Sequence, residues 1–347
     1  GETAFLSAEV DDDYQLIQNG VYNIDADGIH RIADLSTTIP GADEEFAFIT
    51  EVARSDSMVA FKGQGAELRE GIYAWDGGEL SVVADENTAV PGSSATFLRF
   101  WSFDVDGHTV AFDAGHLAAP EDYRRGIYGT AGGLHVIVDD ATMIPGGENP
   151  FAGFRSVSAD EGAIAFVGAE YHWWSSPRGV YTTLGGLRAV AERGQPVPGG
   201  SATFRSFSNC IFDDDAIVFT AGTSDDEYGA YAEVRGTLIK LFDRSDFTDG
   251  DPTLRVSVST GGPHALDDRR LALFVRYEDE SQFIYIATIC LADLDSDGTV
   301  NGDDLETLLS NYGSSGMDEE HGDINGDGVV DLRDLAILLS NFGQTCW

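Results

Sequence analysis

Phenylalanine recurs in this chain at fixed intervals, and those intervals leave few folds open. A Pro-Gly pair occurs at Pro40, Pro91, Pro145 and Pro198, and six residues after each proline stands Phe46, Phe97, Phe151 or Phe204. Fifteen residues after each of those comes Phe61, Phe112, Phe166 or Phe219. A Gly-apolar-Tyr triplet keeps the same period, at Gly20-Val21-Tyr22, Gly71-Ile72-Tyr73, Gly126-Ile127-Tyr128, Gly179-Val180-Tyr181 and Gly229-Ala230-Tyr231. Phe283-Ile284-Tyr285 is a worn sixth copy. Self-similarity at a period of about 50 residues marks a repeat architecture in which each copy is one supersecondary unit.

Each unit reads as four short strands. In the third copy they are Phe97 to Phe103, Thr109 to Phe112, Gly126 to Tyr128 and Leu134 to Val138. The turn after the first is Asp104-Val105-Asp106-Gly107, and a Gly132-Gly133 pair sets up the last hairpin. The turn acids Asp104, Asp106, Asp160, Asp213 and Asp214 are expected to be ordinary hairpin residues. Repeated four-stranded units without helical periodicity predict an all-β fold, a β-propeller over residues 1–289. Six blades with incomplete ends are expected. The alternative is five, with Leu254-Arg255-Val256 completing an N-terminal blade by strand exchange. The order of strand, acidic turn, apolar-Phe strand, Ile-Tyr strand and Leu-rich strand resembles the TolB-like and WD40-like propellers of secreted bacterial proteins. That resemblance implies fold rather than function.

Length variation concentrates between the second-strand Phe and the third-strand Tyr, and recognition usually sits on loops that vary over a constant scaffold. These segments hold Asp11, Asp12, Asp13 and Tyr14; His116, Glu121, Asp122 and Tyr123; Tyr171, His172, Trp173 and Trp174; and Asp225, Asp226 and Glu227. Tyr123 and the run Tyr171 to Trp174 are the candidate ligand or partner contacts. Aromatic rings beside carboxylates suit stacking on sugars. The same rings also suit capping the fold or packing on another protein. No zinc-spaced histidines, Gly-x-Ser-x-Gly or phosphate-binding loop occurs, so the expectation is a non-enzyme.

Residues 290–347 carry a different signal. Asp293, Asp295, Asp297, Thr299 through its carbonyl, Asn301 and Asp304 occupy positions 1, 3, 5, 7, 9 and 12 of a calcium loop, with Gly298 at the turn. Thirty residues later the pattern returns as Asp323, Asn325, Asp327, Val329, Asp331 and Asp334, with Gly328. Each loop leads into a helix bearing the apolar stripe Leu305, Leu308, Leu309, Tyr312 or Leu335, Leu338, Leu339, Phe342, closed by Gly313 or Gly343. Two calcium ions are the expected cofactors. Aspartate at position 12 and the lack of a preceding helix resemble the dockerin family. The resemblance implies a duplicated module that folds on calcium and docks to a cohesin-like protein. Where cellulosomal dockerins commonly carry Ser-Thr at loop positions 10 and 11, this chain has Gly302-Asp303 and Leu332-Arg333, so another surface protein or a second copy of this chain also fits as partner.

Composition narrows the setting. Sixty acidic against 20 basic residues give a net charge of −40, which argues against nucleic acid as a partner. No apolar run reaches the ~18 residues of a membrane span. Gly1-Glu2-Thr3 at the start suggests a leader removed on secretion. Cys290 and Cys346 bracket the module, and a disulfide between them would clamp its ends, while Cys210 lies in an apolar strand pattern. These readings predict a secreted or cell-surface protein that attaches or self-assembles through a calcium-dependent module. The alternative is a carbohydrate-binding or carbohydrate-active propeller tethered by that module.

Overall fold

The computed structural model describes residues 3–346 except 11–15, 67–68, 171–177, 199–200, 215, 235, 244–255, 261–264, 268, 278–280, 290–291, 296, 317–320 and 325–327. The chain is mostly β, in six antiparallel sheets taken up in sequence order. The first has three strands, β1 (Thr3–Val10), β2 (Leu16–Asp25) and β3 (Gly28–Asp34). Four-stranded meanders follow. The second is β4 (Phe46–Ser55), β5 (Met58–Gly65), β6 (Glu70–Asp76) and β7 (Glu79–Asp85). The third is β8 (Phe97–Asp106), β9 (Thr109–Ala119), β10 (Asp122–Gly129) and β11 (His135–Asp139). The fourth is β12 (Gly153–Asp160), β13 (Ala163–Ala169), β14 (Gly179–Thr182) and β15 (Arg188–Glu192). The fifth is β16 (Phe204–Asp213), β17 (Ala216–Thr223), β18 (Tyr228–Val234) and β19 (Thr237–Asp243). In the sixth, β20 (Val256–Thr260) and β21 (Leu266–Asp267) pair successive parts of β22 (Arg270–Tyr277), which also pairs β23 (Gln282–Thr288). Two helices end the chain, α1 (Gly302–Ser310) and α2 (Leu332–Asn341). Two compact units result, 1–176 with 183–187, and 177–182 with 188–347.

The repeated aromatics are the cores of the sheets. Phe46, Phe61 and Tyr73 are all at most 2% exposed, as are Phe97, Phe112 and Tyr128, and Phe204, Phe219 and Tyr231. The first Phe meets the Tyr ring edge-on at 4.9, 4.8 and 4.9 Å in the second, third and fifth sheets. The second Phe lies at a shallow angle to the same ring at 5.8, 5.7 and 5.7 Å. Edge-to-face and offset pairs are what the ring quadrupole favours, so one packing solution serves three times.

The glycine of the triplet has a cause that the packing reveals. Third and fourth strands slip register between the apolar residue and the tyrosine, at Val21/Tyr22, Ile72/Tyr73, Ile127/Tyr128, Val180/Tyr181 and Ala230/Tyr231. This bulge drives the fourth-strand backbone inward over the glycine. A Cβ on Gly229 would lie 2.6 Å from the Phe242 carbonyl oxygen, and one on Gly179 would lie 2.5 Å from that of Ala191. In the sixth sheet Phe283 stands at the glycine's place, and among the described residues no fourth strand pairs with β23.

Neighbouring sheets of the first unit are tied by polar latches. The residue before each glycine reaches the next sheet's first strand, three residues past its leading Phe. Asn19 Oδ1 accepts from Ile49 N at 2.5 Å, and Glu70 Oε2 from Phe100 N at 2.9 Å. Arg125, at the same place, instead donates through Nη2 to the Phe154 carbonyl at 2.7 Å. Its charge is met by fully buried Asp113, whose Oδ2 accepts from Nη2 at 2.5 Å. Burial outweighs the pull of Arg125 and pushes the Asp113 carboxyl up to about 7.

Several expectations are corrected. Asp104 is not a turn residue: β8 runs to Asp106, and Asp104 is 1% exposed with Oδ2 accepting from Ser158 Oγ and Ala159 N at 2.9 and 3.0 Å. It is another inter-sheet tie. The segment holding His116 and Tyr123 is not a loop, because cross-strand pairing continues from Gly126↔Ala114 out to Asp122↔Ala119. Of the expected exchange segment, Leu254 and Arg255 lie outside the described residues, and Val256 pairs Tyr277 within the sixth sheet. In the second unit, residues before and after 289/290 pack together. There Leu294, Val300, Leu308, Ile324, Val330 and Leu338 share one core with Phe242, Leu266, Leu271 and Leu273.

Two predictions follow from this packing. Gly229→Ala should cost about 1–3 kcal/mol in denaturant unfolding through overpacking against backbone. Gly78→Ala, where a Cβ meets nothing, should stay within about 0.5 kcal/mol. A native carboxyl titrating above its unfolded value binds its proton more tightly when folded. The Asp113 contribution therefore falls as pH rises from about 4 to about 7. Thermal midpoints across that range should drop more for the native chain than for Asp113→Asn; equal slopes would show that Asp113 titrates normally.

Candidate calcium centre

Both loops are built by the same local chemistry. Gly298 and Gly328 sit at φ +86° and +84°, the left-handed turn that position 6 needs. Asp293 accepts from Asp297 N at 3.1 Å and Gly298 N at 3.0 Å, and Asp323 Oδ2 accepts from Gly328 N at 2.8 Å. Position 9 supplies the helix N-cap: Asn301 accepts from Asp303 N at 2.8 Å, and Asp331 from Arg333 N at 2.7 Å. Position 12 closes a capping box, with Asp304 and Asp334 fully buried and accepting from Asn301 N and Asp331 N. Asp304 also takes Leu294 N at 2.6 Å and so draws the start of the loop onto the start of the helix.

The two loops are clasped through backbone bonds that repeat with an offset of 30 residues. Gly313 N donates to Val330 O and Gly343 N to Val300 O, at 2.9 and 2.7 Å. Val330 N donates to Ser314 O and Val300 N to Gln344 O, at 3.1 and 3.0 Å. Gly316 N donates to Gly328 O and Cys346 N to Gly298 O, at 2.8 and 2.9 Å. Each helix is thus followed by a segment that lies along the other loop, so neither half closes without its twin.

The electrostatics fit a hard cation. Carboxylate oxygens of Asp293, Asp295 and Asp297 come within 4.8 Å of one another. Burial pushes the Asp293 carboxyl up, and the charges of Asp304 and Asp297 add to the effect. In the second loop Asp323 is 3% exposed and its Oδ1 has no hydrogen-bond partner. A buried carboxylate oxygen left so is costly unless something cationic meets it. With the Thr299 and Val329 carbonyls, the loops offer the oxygen-only donors that calcium takes.

Of the other sequence-derived candidates, Asn325, Asp327, Tyr171, His172, Trp173, Trp174 and Cys290 lie outside the described residues. Cys346 packs partly buried against the module's core, and Cys210 is a buried free thiol at 3% exposure. Tyr123 is on β10, 41% exposed and edge-on to Trp101 at 6.4 Å, and His116 is buried on β9. The apolar helix stripe splits. Leu308 and Leu338 are wholly buried, whereas Leu309, Tyr312, Leu339 and Phe342 are 46–54% exposed. Sequence reasoning did not single out Asp113, Arg125 and Trp101, because each differs from its repeat equivalents without breaking the strand pattern.

No curated protein matches the chain. Among solved structures, the Pyrococcus horikoshii acylaminoacyl peptidase is 13% identical over 79% of this chain and 42% of its own, at a TM-score of 0.43. The chain thus spans about two fifths of that peptidase's length. The β-propeller domain of the trilobed protease from Pyrococcus furiosus is 8% identical over 82% of this chain and 91% of its own, at a TM-score of 0.40. Aleuria aurantia lectin is 12% identical over 82% and 91%, at 0.34. These likenesses are too loose to bear on site or activity. A family model described as a family of unknown function (DUF7453) matches residues 1–235, ahead of the sixth sheet and the two loop–helix units, and on that span the chain belongs to the DUF7453 family.

Proposed function

We propose that this chain is a secreted, non-enzymatic six-bladed propeller whose C-terminal dockerin-like module binds two calcium ions and attaches it to a partner outside the cell. The observation behind this reading is the clasp of the two loops, whose six backbone bonds repeat at an offset of 30 residues. In the first loop calcium is held by Asp293, Asp295, Asp297, the Thr299 carbonyl, Asn301 and Asp304. In the second it would be held by Asp323, Asn325, Asp327, the Val329 carbonyl, Asp331 and Asp334. The ions would offset carboxylate repulsion that a chain of charge −40 otherwise bears at these points. The docking surface is the duplicated apolar row Leu309, Tyr312, Leu339 and Phe342, exposed on an otherwise acidic molecule. Either a cohesin-like protein or a second copy of this chain would cover it.

Calorimetric titration should give two calcium sites, Asp293→Asn and Asp323→Asn one each, and the double variant none. At about 100-fold excess over Kd, calcium should add about 2.7 kcal/mol per site to the unfolding free energy. An absence of binding heat in the native chain, with a thermal midpoint that chelator leaves unchanged, would remove the calcium reading. Light scattering then separates the partners. A mass that grows with calcium and returns to the monomer in Leu339→Ser identifies self-docking; a monomer throughout directs the search to a cohesin-like protein. Thiol labelling after denaturation without reductant should find one cysteine, and three after reduction, if Cys290 and Cys346 are bridged as the extracellular setting requires. Three without reductant would remove the bridge.

A further inference from the structure

On the third sheet, a set of side chains that the docking reading leaves unused faces one way. Arg99, Gly115 and Arg125 stand opposite one another across β8, β9 and β10, so they share a face. The Arg125 guanidinium lies 3.8 Å from the centroid of the Trp101 ring, and Tyr123 leans edge-on to the same indole. Tyr123 occupies the space over Gly115; a Cβ there would lie 2.2 Å from its hydroxyl oxygen. Gly115 therefore leaves a gap in the face that the Tyr123 ring fills.

The inter-sheet latch accounts for part of this cluster and not the rest. It uses Arg125 Nη2 and Asp113 Oδ2. Arg125 Nε and Asp113 Oδ1 are both buried and both without a hydrogen-bond partner, on residues 7% and 0% exposed. One donor and one acceptor of a single ion pair are left in this way, and the Tyr123 hydroxyl also bonds nothing among the described residues. Buried polar atoms are rarely left so, and such a pair can take the hydroxyl of a water or of a ligand. A second oddity is charge. Arg99 is exposed and forms no ion pair among the described residues, in a chain with three carboxylates for every basic residue.

We propose that Trp101, Tyr123, Arg125, Asp113 and Arg99 form a binding site for an acidic saccharide, a uronate-bearing sugar chain. The sugar ring lies against Tyr123 and the edge of Trp101, as apolar sugar faces do on aromatic walls. A ring hydroxyl donates to Asp113 Oδ1 and accepts from Arg125 Nε once Tyr123 tilts off Gly115. The uronate carboxylate meets Arg99, the unneutralised cation at the rim. An acidic peptide would satisfy Arg99 alone, but it has no vicinal hydroxyls for the buried pair and no flat face for the rings. This site is separate from the calcium module and does not depend on it.

The test is calorimetric binding of an oligoglucuronate, a neutral gluco-oligosaccharide of equal length and an oligoglutamate peptide to the full chain, with calcium and with chelator. The oligoglucuronate should bind in both conditions, more tightly than the other two. Arg99→Gln should weaken it about tenfold, as loss of a charged hydrogen bond does. Tyr123→Ala should weaken acidic and neutral sugars alike. Both variants alter exposed side chains, so the fold survives to be measured, and Trp101 fluorescence should shift on binding in the native chain. The proposal is overturned if the oligoglucuronate does not bind, or if its binding survives both variants unchanged. It is also overturned if the peptide binds as well as the sugar. Because binding is read in chelator too, its failure leaves the calcium reading standing, and the reverse.

Discussion

The packing of one tyrosine ring against two phenylalanine rings decides most of this molecule. In three sheets the ring distances agree to within 0.1 Å, so the geometry is a property of the sequence unit rather than of its place in the chain. To seat the tyrosine, the fourth strand must bulge. To let the bulge approach, the residue two before the tyrosine must lack a Cβ. To join sheets, the residue before that glycine is free to carry a polar side chain toward the next sheet, and Asn19, Glu70 and Arg125 do so. Each link constrains the next, which is why the spacings in the sequence hold while most other positions drift.

Electrostatics sets the second constraint. A chain with 60 acidic residues must place its carboxylates where they are either solvated or answered. Among the described residues most are at least partly exposed, and screening by salt makes their mutual repulsion tolerable. The buried ones each have a stated partner. Asp104 takes a hydroxyl and backbone N–H groups, Asp113 takes arginine, and Asp304 takes three backbone N–H groups. Asp113 and Asp323 each keep one buried oxygen unanswered among the described residues, and a cation at Asp323 would answer the second.

Much of this was legible in the sequence. The phenylalanine spacings placed the sheets, and the aspartate spacings placed both loops and helices, because buried rings and turn glycines tolerate few substitutes. What stayed hidden depended on the third dimension. Nothing in the run Phe103-Asp104-Val105-Asp106 separates a turn acid from a buried tie; only the position of Ser158 in the next sheet does so. The pairing of His116 and Tyr123 as strand residues needed the length of β9, which alternation past Ala114 does not announce. The exposure of Leu309 and Tyr312 was unreadable for a related reason. Helical periodicity finds an apolar face but cannot say whether the chain itself covers that face, and here the core closes over Leu308 and stops short of them.

The sixth copy of the triplet turns this logic around. Phe283 replaces the glycine, and β23 pairs β22, whereas in the five glycine-bearing copies the triplet's strand also pairs the strand that follows it, each time with a slip of register. A bulged fourth strand could not approach a residue with a Cβ and a ring, and among the described residues none does. The worn motif therefore reflects the removal of a constraint: once no bulged strand has to be seated, the position can hold any side chain that suits its strand. From there the chain goes on to Ile289 and Ala292, buried in the same core as the two loop–helix units. The sheet that lacks a bulged fourth strand is thus the one whose core the C-terminal module extends, and the repeat ends where a different source of apolar surface takes over.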